Sequence, residues 1–199
     1  MTSDDELLDL IRHDLSLGEL LWEVCEFHVA RADHGEPVRL SSGQPLQGIA
    51  GDFTGGTFFL CGEPHPIRPV LYASSEGQAG LIGHSLAEAL EIMIGLPYWR
   101  DCLKFSGDGD LTTMRSAADF LQSDALTEQP EIASQRAQLS TALSLDQPPV
   151  SLLLDRLREA VAETASDVLL ATETGEEYET LFGPWLPSRN PLWNRPQPE

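Results

Sequence analysis

Residues 49–62, IAGDFTGGTFFLCG, constrain the fold of this chain more tightly than any other stretch. Two short apolar runs flank a turn in which Gly51, Asp52, Thr54, Gly55 and Gly56 tolerate the backbone reversal, while Phe58, Phe59 and Leu60 supply strand-forming bulk. A hairpin is the arrangement that lets both runs bury their side chains and pair their backbones. The pattern then repeats. PVLY at 69–72 is a third apolar run, SSEG at 74–77 a second turn and AGLI at 79–82 a fourth run, after which a helix opens at His84. A strand meander followed by a helix that covers it is the expected framework.

Carried along the whole chain, this texture predicts an α+β fold. It consists of a mainly antiparallel mixed sheet flanked by helices, with a helical C-terminal extension. Strands are expected near residues 38–41, 46–51, 57–61, 69–73 and 79–83, with one more near 168–172. Ser3 caps a first helix over 3–15 with Leu7, Leu8, Ile11 and Leu15 on one face. Ser16 and Glu19 form a capping box for a second, carrying Leu20, Leu21, Val24, Phe27 and His28 and ending at 31–35. Ser85 and Glu88 mark the start of a third, in which Leu86, Ala89, Leu90, Met93 and Ile94 recur at helical spacing. Further helices are expected over 97–103, 113–126 and 132–145, around Leu153, Leu154, Leu157 and Val161, and over 176–182. The resulting division is a domain over 1–125, an extension with one further strand over 126–182, and a proline-rich tail over 183–199 on which little core should depend.

Charge narrows the partners. Across 199 residues, 32 acidic side chains face 12 basic ones, a formal net charge of −20. Residues 1–36 carry ten acids against two arginines, and residues 155–179 carry eight against two. Such a surface repels nucleic acid and anionic lipid, so neither direct nucleic-acid binding nor a membrane partner is expected. It either solvates the protein or steers a basic partner toward it. No run approaches the roughly 18 to 20 apolar residues of a membrane span, and the first residues are acidic where a secretory signal is basic, so the expected compartment is the cytoplasm. Cys25, Cys61 and Cys102, odd in number and widely spaced, are expected as reduced thiols.

Catalytic signatures are missing from the pattern. There is no G-x-S-x-G elbow, and GDFTGG has neither the lysine of a phosphate-binding loop nor dinucleotide-turn spacing. Cys25 with His28, and Cys61 with His65, lack the paired spacing of a zinc site. Asp108-Gly109-Asp110 lacks the later acid of a calcium loop. No enzyme activity, cofactor or metal is therefore expected. The positions expected to meet a protein partner are Asp52 and Thr54 in the glycine turn, Glu76 in the second turn and Trp99 after the covering helix. Trp185 and Trp193 in the tail are further aromatic candidates.

The order IAGDFTGG, TFFL, PVLY, SSEGQAGLIG and SLAEALEIMIGLPYW, over about residues 7–106, resembles the SUKH superfamily. That group includes yeast cell-wall regulators of the Smi and Knr type and many bacterial immunity proteins. The resemblance implies a mixed sheet flanked by helices and no catalysis. It also implies a role in binding and neutralising a toxin domain, often a nuclease, delivered by a neighbouring cell. It does not reach the chain beyond about residue 126. The alternative is a cytoplasmic regulatory or scaffold module that binds proteins without a toxin partner.

Overall fold

The computed structural model describes residues 2–187. Helix α1 (Asp4–His13) is capped by Ser3, whose hydroxyl accepts from the Glu6 amide while the Glu6 carboxylate accepts from the Ser3 amide, and it buries Leu7, Leu8 and Ile11. Asp14 ends α1 and caps α2 (Leu15–Cys25) in the same stroke, accepting from the Leu17 amide at 3.1 Å. The expected continuation of α1 through Leu15 and the Ser16 cap are therefore corrected. Asp14 breaks the helix two residues earlier, and Leu15 is exposed.

The second helix also ends earlier than its periodicity suggests. Glu26 adopts a left-handed conformation at φ 55°, its amide closing onto the carbonyls of Leu21 and Trp22. Phe27 still enters the core, but His28 leaves the helix and exchanges backbone hydrogen bonds with Gly51. The segment after it crosses glycines that leave room for it. A Cβ on Gly51 would stand 2.2 Å from the Arg31 carbonyl oxygen, and one on Gly48 2.3 Å from that of Ala32.

The meander follows as β1 (Val38–Leu40), β2 (Leu46–Gly51), β3 (Thr57–Cys61), β4 (Val70–Ala73) and β5 (Gln78–Gly83). Strands β2 to β5 pair antiparallel in sequence order. After them come α3 (Leu86–Gly95), α4 (Trp99–Lys104), α5 (Leu111–Glu128), α6 (Ile132–Ala142) and α7 (Val150–Glu163). A 3-10 turn leads from α7 to β6 (Leu169–Ala171) and then β7 (Glu179–Thr180). The fold is α+β, as the alternation of patterns predicts.

Two corrections concern strands. β1 does not join the main sheet; it pairs antiparallel with β6 in a separate two-stranded ribbon. Residues 176–182 form no helix. Tyr178 donates its amide to the Leu169 carbonyl and Glu179 donates to Gly77, so the segment is drawn out as β7, parallel to β5 at the sheet edge. Its apolar residues, Tyr178 and Leu181, are spaced as on a helix, but here they are buried against different layers.

This ribbon explains why β3 is buried at every position. Phe58 and Leu60 face the helices, in one cluster with Tyr72, Ile82, Leu90, Met93 and Trp99, while Phe59 and Cys61 pack beneath the ribbon with Leu40, Leu169 and Tyr178. A strand covered on both faces carries a continuous apolar run rather than an alternating one. In α3, Ser85 accepts from the Glu88 amide and every expected face residue is buried. Helix α7 lies along β5 and α3, and its Leu153, Leu154, Leu157 and Val161 join the same cluster as α1 and α2. Asp4, only 2% exposed, accepts from the amides of Arg68 and Leu86, tying α1 to the start of α3.

At the C-terminal side, Leu181 rests over Gly80 and Gly183 is buried against α4. The Gly183 amide donates to Leu103, its carbonyl accepts from Asp108 at 2.9 Å, and the Trp185 carbonyl accepts from Gly107. Trp193 and the rest of residues 188–199 lie outside the described residues.

Candidate functional site

The glycine turn between β2 and β3 is built around one carboxylate. Asp52 is 1% exposed. Its Oδ1 accepts from the Thr54 amide at 2.8 Å, the Thr54 hydroxyl at 2.9 Å and the Gly56 amide at 2.8 Å; its Oδ2 accepts from the Tyr72 hydroxyl at 2.7 Å and from Arg100. An Asx-type turn of this kind lets a short acidic side chain replace the backbone ladder where the strands part. Gly55 supplies the positive φ of 89° that closes it. Gly56 is needed for space, because a Cβ there would meet the Tyr72 hydroxyl at 2.3 Å.

Burial pushes the Asp52 carboxyl up, but the hydrogen bonds from Tyr72, Gly56 and Thr54 together with the Arg100 charge outweigh it, and its pKa lies below the ordinary 3.8. Burial and the same hydrogen bond push the Tyr72 phenol up. Arg100, on α4, is held between Asp52 and Glu26. Its guanidinium also stands 5.7 Å from the Trp99 ring centroid and 6.0 Å from that of Tyr72. The left-handed Glu26 thereby acquires a purpose, since the cap that ends α2 aims its carboxylate at Arg100.

Beside this network opens a cleft of about 580 Å³. Thr54, Glu76 and Trp99 all line it, so three of the four sequence-chosen positions converge; the two turns are joined directly where the Ser75 hydroxyl donates to the Thr54 carbonyl at 2.8 Å. Asp52 lies beneath the cleft and organises it. Trp99 shows little of itself, being 1% exposed and edge-on to Tyr72. Among the described residues, the exposed large aromatics are Phe53, at 57%, and Trp185, at 60%, both on the cleft wall. Phe53 stacks on Trp22 with centroids 3.6 Å apart. The contributions of Phe53, Glu26 and Arg100 were not evident from the sequence. The available signal was an aromatic residue inside a turn otherwise made of small and polar ones.

Asp52, Tyr72, Arg100 and Glu26 are spent on one another. Burial pushes the thiols of Cys25, Cys61 and Cys102 up, the second to about 12, which leaves them poor nucleophiles. Among the described residues, no three His, Cys, Asp or Glu side chains are placed to hold a metal ion, and no helix is long and apolar enough to cross a membrane. Comparison with protein-family models, with curated proteins and with solved structures found no match to this chain.

Proposed function

We propose that this chain is a non-catalytic immunity protein of the SUKH type. It acts in the cytoplasm by binding a basic bacterial toxin domain, of which a nuclease is the leading case, and covering its active surface. The observation that carries this reading is the way charge is sorted. Many of the arginines are engaged within the fold: Arg31, Arg136 and Arg158 donate to the carbonyls of Asp52, Gly95 and Gly109, while Arg68, buried, donates to Gln47. Arg100 and Arg156 are spent on carboxylates of neighbouring elements. Asp4 and Asp52 aside, many of the acids point outward. Glu173, Glu176, Glu177 and Glu179 are all exposed around β7, next to the turn that carries Glu76, as are Glu6, Asp9, Glu19 and Glu23 on the first two helices.

A field of one sign raises the encounter rate with a partner of the other and requires no reacting group. The strand, turn and helix order of residues 49–106, on which the SUKH resemblance rests, supports the same reading. Co-expression with the toxin domain encoded beside the gene tests it. Survival of the cells and co-purification of the two chains are expected. Cell death despite folded expression, with no complex at low salt, would leave the regulatory or scaffold reading in its place.

A further inference from the structure

Resting on that reading, we propose that the cleft beside the glycine turn is a seat for an arginine side chain presented by a loop of the basic partner. The guanidinium lies against the exposed rings of Phe53 and Trp185, with Glu76 and Asp101 as its counter-charges. Four observations lead there. The two large exposed aromatics of the described chain share one cleft, although open aromatic surface is costly unless it is covered in a complex. Phe53 is fixed before any partner arrives, since Trp22 backs its ring and Arg31 in turn stands 5.4 Å from the Trp22 centroid. Glu76 and Asp101 line the cleft, and neither forms an ion pair within the described residues.

The fourth observation is an internal precedent. Arg100 is already held in this manner, by two carboxylates and the rings of Tyr72 and Trp99. An incoming guanidinium would repeat that arrangement one layer further out. Burial raises the Asp101 carboxyl against the lowering charges of Lys104 and Arg100, and a further cation beside it favours its ionised form. The cleft, at about 580 Å³, falls within the usual range for binding pockets and has room for more than one side chain, which favours an arginine delivered on a loop.

The probe is N-acetyl-arginine methylamide, titrated into the full isotope-labelled chain and followed by NMR. The neutral citrulline analogue and the N-acetyl-aspartate amide serve as controls. The expected result is a shift of the Trp185 indole N–H and of the Phe53 amide with arginine, and about tenfold weaker binding of citrulline. Equal responses to arginine and citrulline would overturn the proposal. So would a response of the same signals to the aspartate amide, which would mark an anion site on Lys104, or dimerisation through the cleft seen by sedimentation.

In the complex with the toxin domain, Trp185→Ala and Phe53→Ala are each expected to weaken binding by about 30-fold. Because Phe53 touches Trp22, Glu76→Gln at an exposed turn carries the test if Phe53→Ala fails to fold. A toxin complex indifferent to all three variants overturns the arginine seat while leaving the immunity reading standing. An arginine response in the cleft without any toxin complex does the reverse.

Discussion

Removing the Asp52 carboxylate should expose how much of the fold depends on one turn. In Asp52→Ala, the buried Tyr72 hydroxyl and Gly56 amide lose their acceptors, and Arg100 keeps only Glu26. Each stranded buried donor costs about 1–3 kcal/mol. Losing one partner of a buried pair costs about 3–5 kcal/mol, a figure reduced here because the Arg100 side chain is 30% exposed and retains a second carboxylate. Since these terms share the same geometry, the expected total is about 3–5 kcal/mol. At this chain length that corresponds to a fall in Tm of roughly 6–20 °C.

Asp52→Asn should lie in between. Its oxygen can still accept from the turn amides, whereas its amide group confronts the Arg100 donors. Urea unfolding followed by circular dichroism measures both variants. The pH dependence supplies a second check. A carboxyl whose folded pKa is depressed stabilises the protein fully above its unfolded value, near 3.8, and loses that contribution as pH falls through the lower folded value. The gap between wild type and Asp52→Ala should therefore close only in that acid window. A loss below about 1 kcal/mol at neutral pH, or a gap independent of pH down to 2, would refute the reasoning.

Four further outcomes are expected. Leu90→Ala, at a position with no exposure beneath the sheet, should cost about 2–5 kcal/mol by urea unfolding. The three thiols should resist a thiol reagent such as DTNB in the native protein and react together only on unfolding, since all are buried. His84 bridges Glu163 on α7 and Glu88 on α3, and hydrogen bonding to Glu163, then to Glu88, overcomes burial to raise its pKa above the ordinary 6.5. NMR titration should show that elevation diminished in Glu163→Gln, with the stabilising effect of the bridge full below 6.5 and lost as pH rises through the folded value. Gly183→Ala should lower the melting temperature clearly, because a Cβ there would stand 2.3 Å from the Lys104 carbonyl oxygen.

What the sequence made legible was local. β2 and β3 fall where the apolar runs lie, and Ser3 and Ser85 cap the helices they were expected to cap, because each of these signals is complete within a few residues. What it hid was set by distant partners. β1 reads as a strand in its own right, but nothing within residues 38–41 says that it pairs with residues 169–171. Residues 176–182 have helical spacing, yet backbone partners at Leu169 and Gly77 extend them. Gly183 sits among prolines that suggest an untethered tail, whereas its hydrogen bonds run to Leu103 in α4 and to Asp108 in the turn after it. The site follows the same rule. Thr54, Glu76 and Trp99 could be singled out from turn and helix grammar. Glu26 joins them through a left-handed cap, and Arg100 through two carboxylates 48 and 74 positions away in the chain.

In the proposed function, an acidic surface steers this protein onto a basic toxin and silences it without chemistry. The most direct measurement is the association rate of the purified chain with the toxin domain encoded beside it, taken as a function of ionic strength alongside the toxin's activity. As the Debye length shortens from about 30 Å at 0.01 M to about 8 Å at 0.15 M salt, the association rate should fall by about tenfold or more while the dissociation rate changes far less. Toxin activity should vanish at one equivalent. A complex that forms at the same rate across that range, or a toxin that stays active at saturating concentrations of this protein, would contradict the account.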